Sequence, residues 1–325
     1  MNKAIFRLPH ESRFIIVKNK EATKVVASFF PFVQGKQQDI FSDIEYTESL
    51  EDDFFNIQLS EAPTQTHFPN QQEYIKKVER AIEVVKENEW SKLVISRPIN
   101  HQYCRLDIKQ TYLNLCKKYP NALCYFWVYE DAVWIGATPE VLGKFNKQTQ
   151  VFETMSLAGT LPVTEEWTNK EIEEQQPVTR YIQDILSNFS EEIEISETYN
   201  HISGEIKHLR NDLSCKIKEN QLLQLIDELH PTPAICGIPK KECLEKILEI
   251  EGYNRAYYSG YIKIETEEQV YYFVNLRCSQ LFKNSSMVYV GGGITAQSIP
   301  EKEWQETELK SHAMLKNFYS DTSEK

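Results

Sequence analysis

Helical spacing first appears after Asn70. Tyr74, Ile75, Val78, Ala81, Ile82 and Val85 recur at intervals of three and four, which predicts a helix with one buried stripe. Lys92-Leu93-Val94-Ile95-Ser96 then reads as a buried strand opened by a lysine. Residues 124–136 predict a hairpin around Glu130-Asp131, and residues 270–290 a second hairpin turning at Lys283-Asn284-Ser285. Helical patterns also cover 167–189, 220–228 and 240–248. Upstream, short apolar runs such as Phe14-Ile15-Ile16-Val17 alternate with polar stretches and read as a few loosely connected strands. Helices and neighbouring strands without regular βαβ alternation predict an α+β fold. Residues 1–69 are expected to be N-terminal strands and linker within one fold, and residues 70–325 its catalytic part.

The C-terminal stretch is denser in chemistry. Gly291-Gly292-Gly293-Ile294 leads into a helical pattern with Pro300 suited to its first turn and Ser298 spaced from Glu301 as in a capping box. On that helix Glu303, Glu306 and Lys310 share a face. Carboxylates beside bare backbone N–H groups and a cation suit a metal ion with an anionic ligand, although a solvated helix with a Glu–Lys pair has the same spacing. Glu171 and Glu174 repeat the carboxylate pair at i,i+3, and two such pairs can close on one hard cation or form two acidic, solvated faces. Glu140 follows a strand-to-turn segment, Gly136-Ala137-Thr138-Pro139. The run from Leu229 to Pro239 is rich in proline and glycine, as a turn or a rigid pocket wall requires.

Composition narrows the field. The formal net charge of −12 argues against nucleic-acid or anionic-membrane partners, while a local basic cluster still admits a small anionic substrate. Seven cysteines with no C-x-x-C pair fit free thiols in a reducing cytoplasm. No apolar run approaches a membrane span, and there is no P-loop or G-x-G-x-x-G.

Taken in order, SKLVISR, GATPEVL, the LAGT of Leu157–Thr160, KEIEEQ, KHL, LHPTPAICGIP, YNRAYYSG, VNLRCSQL, GGGI and EWQETELK resemble the chorismate-utilising enzymes related to anthranilate synthase component I, and among them the isochorismate synthases. The resemblance runs roughly from Asn70 to Phe318. It implies two subdomains whose large sheets pack face to face, helices outside, and a site between them. It also implies a Mg²⁺-dependent isomerisation in which water adds at C2 of chorismate and the C4 hydroxyl departs. Lys92 matches the family's base and Glu140 its acid; a base lysine must be neutral when it acts, and the acid must hold its proton more readily than a free carboxylate. Glu174 and Glu306 match the direct metal ligands, with Glu171 and Glu303 acting through water. Arg277, Lys310 and the backbone N–H of Gly291 match the groups that hold substrate carboxylates. Gly159, Thr160 and Tyr258 match pocket residues, and His208 matches either a ligand contact or a support for the loop.

Two positions separate the family's branches. Ala158 stands where aminodeoxychorismate synthases carry a nucleophilic lysine, so covalent addition there is impossible, and Lys92 stands where ammonia-using anthranilate synthases lack one. Water is therefore the expected nucleophile, with no glutamine amidotransferase partner and a monomer compatible with the chain. Salicylate synthases share Lys92 and Glu140 but tend to place threonine at the position of Ala234; that lyase and a non-catalytic chorismate-binding relative are the alternatives. The product would enter menaquinone or catecholate siderophore biosynthesis.

Overall fold

The computed structural model describes residues 2–320 except Thr23, Gln34, Gln65, Thr66, Gly204 and Glu205, and leaves out the side chains of Lys170, Glu174 and Ser203. Two antiparallel sheets of nine strands each are formed among the described residues. Along the spine of the first lie, in spatial order, Gly237–Ile238, Lys92–Gln102, Ser285–Ile294, Cys278–Leu281, Ala132–Thr138, Leu123–Tyr129, Lys3–Arg7, Phe14–Lys18 and Glu45–Thr47. The second runs Ile193–Ile195, Ile206–Lys216, Val151–Pro162, Val141–Asn146, Gln269–Val274, Tyr261–Glu265, Val25–Phe30 and Gln38–Phe41, and Tyr199–Ser203 also pairs with Ile206–Lys216. The fold is α+β, as the patterns predict. The first 69 residues contribute strands to both sheets.

Alternation along the strands explains the layering. Ala4 and Phe6 enter one core while Ile5 enters another; Leu123, Tyr125 and Trp127 likewise oppose Cys124, Phe126 and Val128. Successive strand side chains point to opposite faces, so a strand with apolar residues on both must be covered on both. The inter-sheet core joins Phe6 and Trp127 of the first sheet to Phe29 and Phe273 of the second, with the Phe29 and Trp127 rings stacked at 3.8 Å between centroids. On the outer face of the first sheet lies helix α2; the helices are α1 (Gln71–Glu87), α2 (Ile108–Lys118), α3 (Asn169–Ser187), α4 (Leu222–Leu229), α5 (Lys240–Glu251) and α6 (Pro300–Leu315). Helices α1, α3, α4 and α5 cover a third core built on the second sheet and the Lys92 strand. The seven cysteines form no disulfide, and among the described residues no helix is long and apolar enough to cross a membrane.

Three local expectations change. Helix α2 was not anticipated. Residues 270–290 are not one hairpin: Gln269–Val274 pairs within the second sheet, and after Asn275 to Arg277 the chain enters the first sheet as Cys278–Leu281. Only Cys278–Leu281 and Ser285–Ile294 form the hairpin, around the anticipated turn. Ser298 does not cap α6: Ile299 is the N-cap, Pro300 opens the helix, and the Ser298 hydroxyl instead accepts from the N–H of Thr295 at 3.1 Å.

Candidate active site

Two points where the chain passes between sheets carry the acid and the arginine. Ala132–Thr138 leaves the first sheet through Pro139 and Glu140 and continues in the second as Val141–Asn146. The opposite passage runs through Arg277. The crossings lie side by side: the N–H of Ala137 donates to the carbonyl of Arg277 at 3.0 Å, and that of Val274 to the carbonyl of Glu140 at 3.1 Å. Arg277 takes a left-handed backbone conformation with φ of 46°, rare for a residue with a side chain. Neither crossing has a periodicity signal, so sequence alone places them nowhere near each other.

Between them opens a cleft of about 840 Å³, part of it open to solvent. Its walls bring together Lys92, Glu140, Gly159, Thr160, His208, Ala234, Tyr258, Arg277, Gly291, Glu306 and Lys310, all anticipated from sequence, and Ala158. Tyr289 and Gly292 also line it and were not singled out; both belong to the strand of the glycine run, and Tyr289 lies two residues before Gly291, on the same strand face.

Lys92 and Glu140 are each only 4% exposed. Burial raises the Glu140 carboxyl pKa to about 7, against the opposing pull of a hydrogen bond from the Thr232 hydroxyl (3.2 Å) and the charges of Lys92 and Lys310. An acid with that pKa holds its proton about half the time at neutral pH, as the sequence reading expects of it. Lys310 donates to Glu306 at 2.7 Å and to the carbonyl of Gly291 at 3.0 Å, the i,i+4 pair of α6 turned inward rather than solvated. His208 sits with Nδ1 2.9 Å from the carbonyl of Gly159 and Nε2 3.4 Å from Arg277 Nη2. Burial and the charges of Arg277 and Lys310 hold its pKa well below the ordinary value, so the neutral ring donates from Nδ1 to Gly159 and accepts from Arg277 at Nε2. It therefore supports the strand at Gly159 while lining the cleft. Loss of water around Arg277 lowers its pKa to about 10, still charged at neutral pH.

Of the four carboxylates expected to hold a metal, Glu306 lines the cleft, whereas Glu303 and Glu171 lie outside its lining. Glu303 is 1% exposed on α6. A side-chain carbon built on Gly292 would lie 3.4 Å from Glu303 Oε2 and 3.6 Å from Glu306 Oε1, so the absent side chain leaves a pocket between bare backbone and two carboxylates. Glu171 is buried at the start of α3, accepting from the N–H of Thr168 at 3.0 Å in a capping box. It packs beside Gly159, whose φ of +69° favours glycine and where an added side-chain carbon would lie 3.1 Å from the Glu171 Cβ. Glu174 lies one turn further along α3; its side chain is outside those described. Among the described residues no group of three potential metal ligands is assembled. Hard carboxylate oxygens around a space a methyl group would fill are a donor set that fits Mg²⁺.

A family model for chorismate binding enzymes matches residues 1–319. The chain belongs to this family. Among curated chorismate binding enzymes it is 24% identical to the isochorismate synthase MenF of Haemophilus influenzae, over 97% of this chain and 75% of that one. The matched stretches span 49% to 61% of the length of several other curated relatives. The fold is shared with the menaquinone-specific isochorismate synthase MenF of Escherichia coli, at TM-score 0.81, 17% identity and coverage of 98% of this chain and 88% of that one. It is also shared with anthranilate synthase component I of Streptococcus pneumoniae, at TM-score 0.71, 18% identity and coverage of 92% and 83%.

Proposed function

We propose that this chorismate binding enzyme is an isochorismate synthase, adding water at C2 of chorismate with loss of the C4 hydroxyl. The observation that carries the proposal is the pairing of buried Lys92 with a Glu140 poised near neutral in one cleft, where Ala158 supplies no side-chain nucleophile. Lys92 takes a proton from the attacking water, and Glu140 gives its proton to the departing hydroxyl; the ring gains and loses one oxygen, and its mass is unchanged. Arg277 and Lys310 offer N–H donors to substrate carboxylates, and arginine suits two-pronged recognition of a carboxylate.

Glu303 and Glu306, with Glu171 and Glu174 of α3, would hold Mg²⁺. When bound, the ion supplies positive charge that binds the ring carboxylate and offsets charge developing during the reaction. Lys310 balances Glu306 at 2.7 Å and thereby limits repulsion within the acidic wall. The family's named relatives include enzymes of menaquinone and vibriobactin formation, and we place the product of this chain in menaquinone or siderophore biosynthesis, with the enzyme in the cytoplasm.

Incubating the purified protein with chorismate, with and without Mg²⁺ and without ammonia, tests the assignment by chromatography and mass detection. A Mg²⁺-dependent isomer without pyruvate is expected. Salicylate with pyruvate would transfer the enzyme to the lyase branch, and chorismate that binds without conversion would identify a non-catalytic relative.

A further inference from the structure

One buried ion pair behind the cleft reaches three of its walls. Glu251 ends α5 and Arg255 follows four residues later, both side chains 1% exposed. Arg255 Nε donates to Glu251 Oε2 at 2.9 Å and Nη2 to Oε1 at 2.5 Å. The rest of the guanidinium looks toward the site: Nη2 donates to the carbonyl of Val94 at 3.0 Å, and Nη1 to that of Ile235 at 2.8 Å and to the hydroxyl of Ser259 at 3.4 Å. Val94, Ile235 and Ser259 all line the cleft. Glu251 Oε1 also accepts from the N–H and the hydroxyl of Ser96, each at 2.7 Å.

Stability alone does not account for such a pair. Taking both charges out of water costs several kcal/mol per ion, and apolar replacements of buried pairs are often neutral or stabilising. A planar fork can instead fix several acceptors at once, which an apolar side chain cannot do. The anchored segments hold the reacting groups. Val94 lies two residues along the strand from Lys92. Ile235 belongs to the loop in which Thr232 donates to Glu140; the Thr232 carbonyl accepts from the N–H groups of Ile235 and Cys236 at 3.1 and 3.0 Å. Ser259 follows Tyr258, and its carbonyl lies 2.9 Å from His230 Nε2 at the start of the same loop.

We propose that Arg255, oriented by Glu251, is the positioning residue that locks the Lys92 strand and the loop supporting Glu140 into one frame. The proposal deepens the isochorismate synthase assignment and rests on the roles given there to Lys92 and Glu140. Arg255 touches no reacting atom; it acts through Val94 and Ile235.

Arg255→Lys keeps a cation beside Glu251 but cannot span both carbonyls. The variant is expected to fold, by circular dichroism and thermal unfolding, with kcat lowered about tenfold or more and KM for chorismate changed less than about threefold, the pattern of an interaction made in the transition state. Glu140 is faced by Lys92, by Lys310 of α6 and by Thr232 of the loop. If the loop loosens, the Thr232 hydrogen bond that favours the carboxylate is lost, and the falling limb of the pH–kcat profile moves to higher pH. A smaller folded fraction would lower kcat without moving that limb. Carboxyl NMR titration of the Mg²⁺-free protein, with Glu140→Gln assigning the signal, should show the same upward shift without any turnover. A folded Arg255→Lys with wild-type kcat, limb and titration would overturn the proposal. If that variant fails to fold, Thr232→Val must reproduce the upward shift of limb and titration, and unchanged values there overturn it equally. A wild-type protein that does not convert chorismate would instead overturn the assignment of function, leaving the titration to decide on Arg255.

Discussion

At the scale of single residues, the chemistry turns on what burial does to Glu140. Its folded pKa of about 7 lies above that of an exposed glutamate, so the native state holds a proton the unfolded chain releases. The sign follows: the native state bears no penalty at acidic pH and loses stability as pH rises from the unfolded pKa toward 7, to a total of about 3 kcal/mol. Glu140→Gln should therefore raise the melting temperature relative to wild type at pH 8.5 and much less at pH 5, while abolishing turnover; thermal scans at the two pH values check it. Gly292→Ala makes a second residue-scale prediction. The new methyl group would meet Glu303 and Glu306 where the proposed Mg²⁺ would sit, so calorimetric Mg²⁺ affinity should fall about tenfold or more with little change in melting temperature. Both positions were within reach of sequence reading to different degrees. Glu140 was legible through its resemblance to a family pattern, whereas its pKa depends on burial by distant segments. Gly292 stood inside an anticipated glycine run, but only the packing of α6 against its strand shows which glycine faces the carboxylates.

Elements bring these residues together, and α6 shows how. It presents Glu306 and Lys310 to the cleft and Glu303 to Gly292, and it is docked on the Lys92 strand by Arg97. That guanidinium donates to Thr307 at 3.0 Å, pairs with Glu308 and lies 3.7 Å from the centre of the Trp304 ring. Lysine can keep the charge but neither the fork nor the flat stacking surface. Arg97→Lys should cost about 1–2 kcal/mol in urea unfolding and weaken the proposed Mg²⁺ binding in parallel, because Glu303 and Glu306 move with the helix. Helix-scale features were the most legible in the sequence. The stripe from Tyr74 to Val85 and the shared face of Glu303, Glu306 and Lys310 appear in the structure as their spacing requires. Helix α2 carried a comparable signal in Ile108, Thr111, Tyr112 and Leu115, all buried against the first sheet, and was missed beside the stronger strand patterns. The sheet crossing at Arg277 was illegible for another reason. Strand residues on either side keep the same alternation, and nothing local marks which sheet a strand will join.

For the whole molecule, the two sheets share one interior. Phe6, Val17, Phe29 and Ile40 come from the first 69 residues, and they pack with Trp127, Trp134 and Phe273 between the sheets. Removing residues 1–69 should therefore leave an insoluble or unfolded protein rather than a smaller active one, which far-ultraviolet circular dichroism and solubility would show. The cleft lies where both sheets and α6 meet, so the site exists only when the full sandwich has closed. In the proposed mechanism Lys92 directs water, and no other nucleophile, to the ring while Glu140 releases the hydroxyl. Reaction of chorismate with Mg²⁺ in H₂¹⁸O, read by mass spectrometry of the product ring, puts it to the test. An isomer carrying one ¹⁸O atom, gained at C2, with the original C4 oxygen lost, is expected, and no product from Lys92→Ala. A product without the label, or labelled product formed equally well by Lys92→Ala, would contradict it.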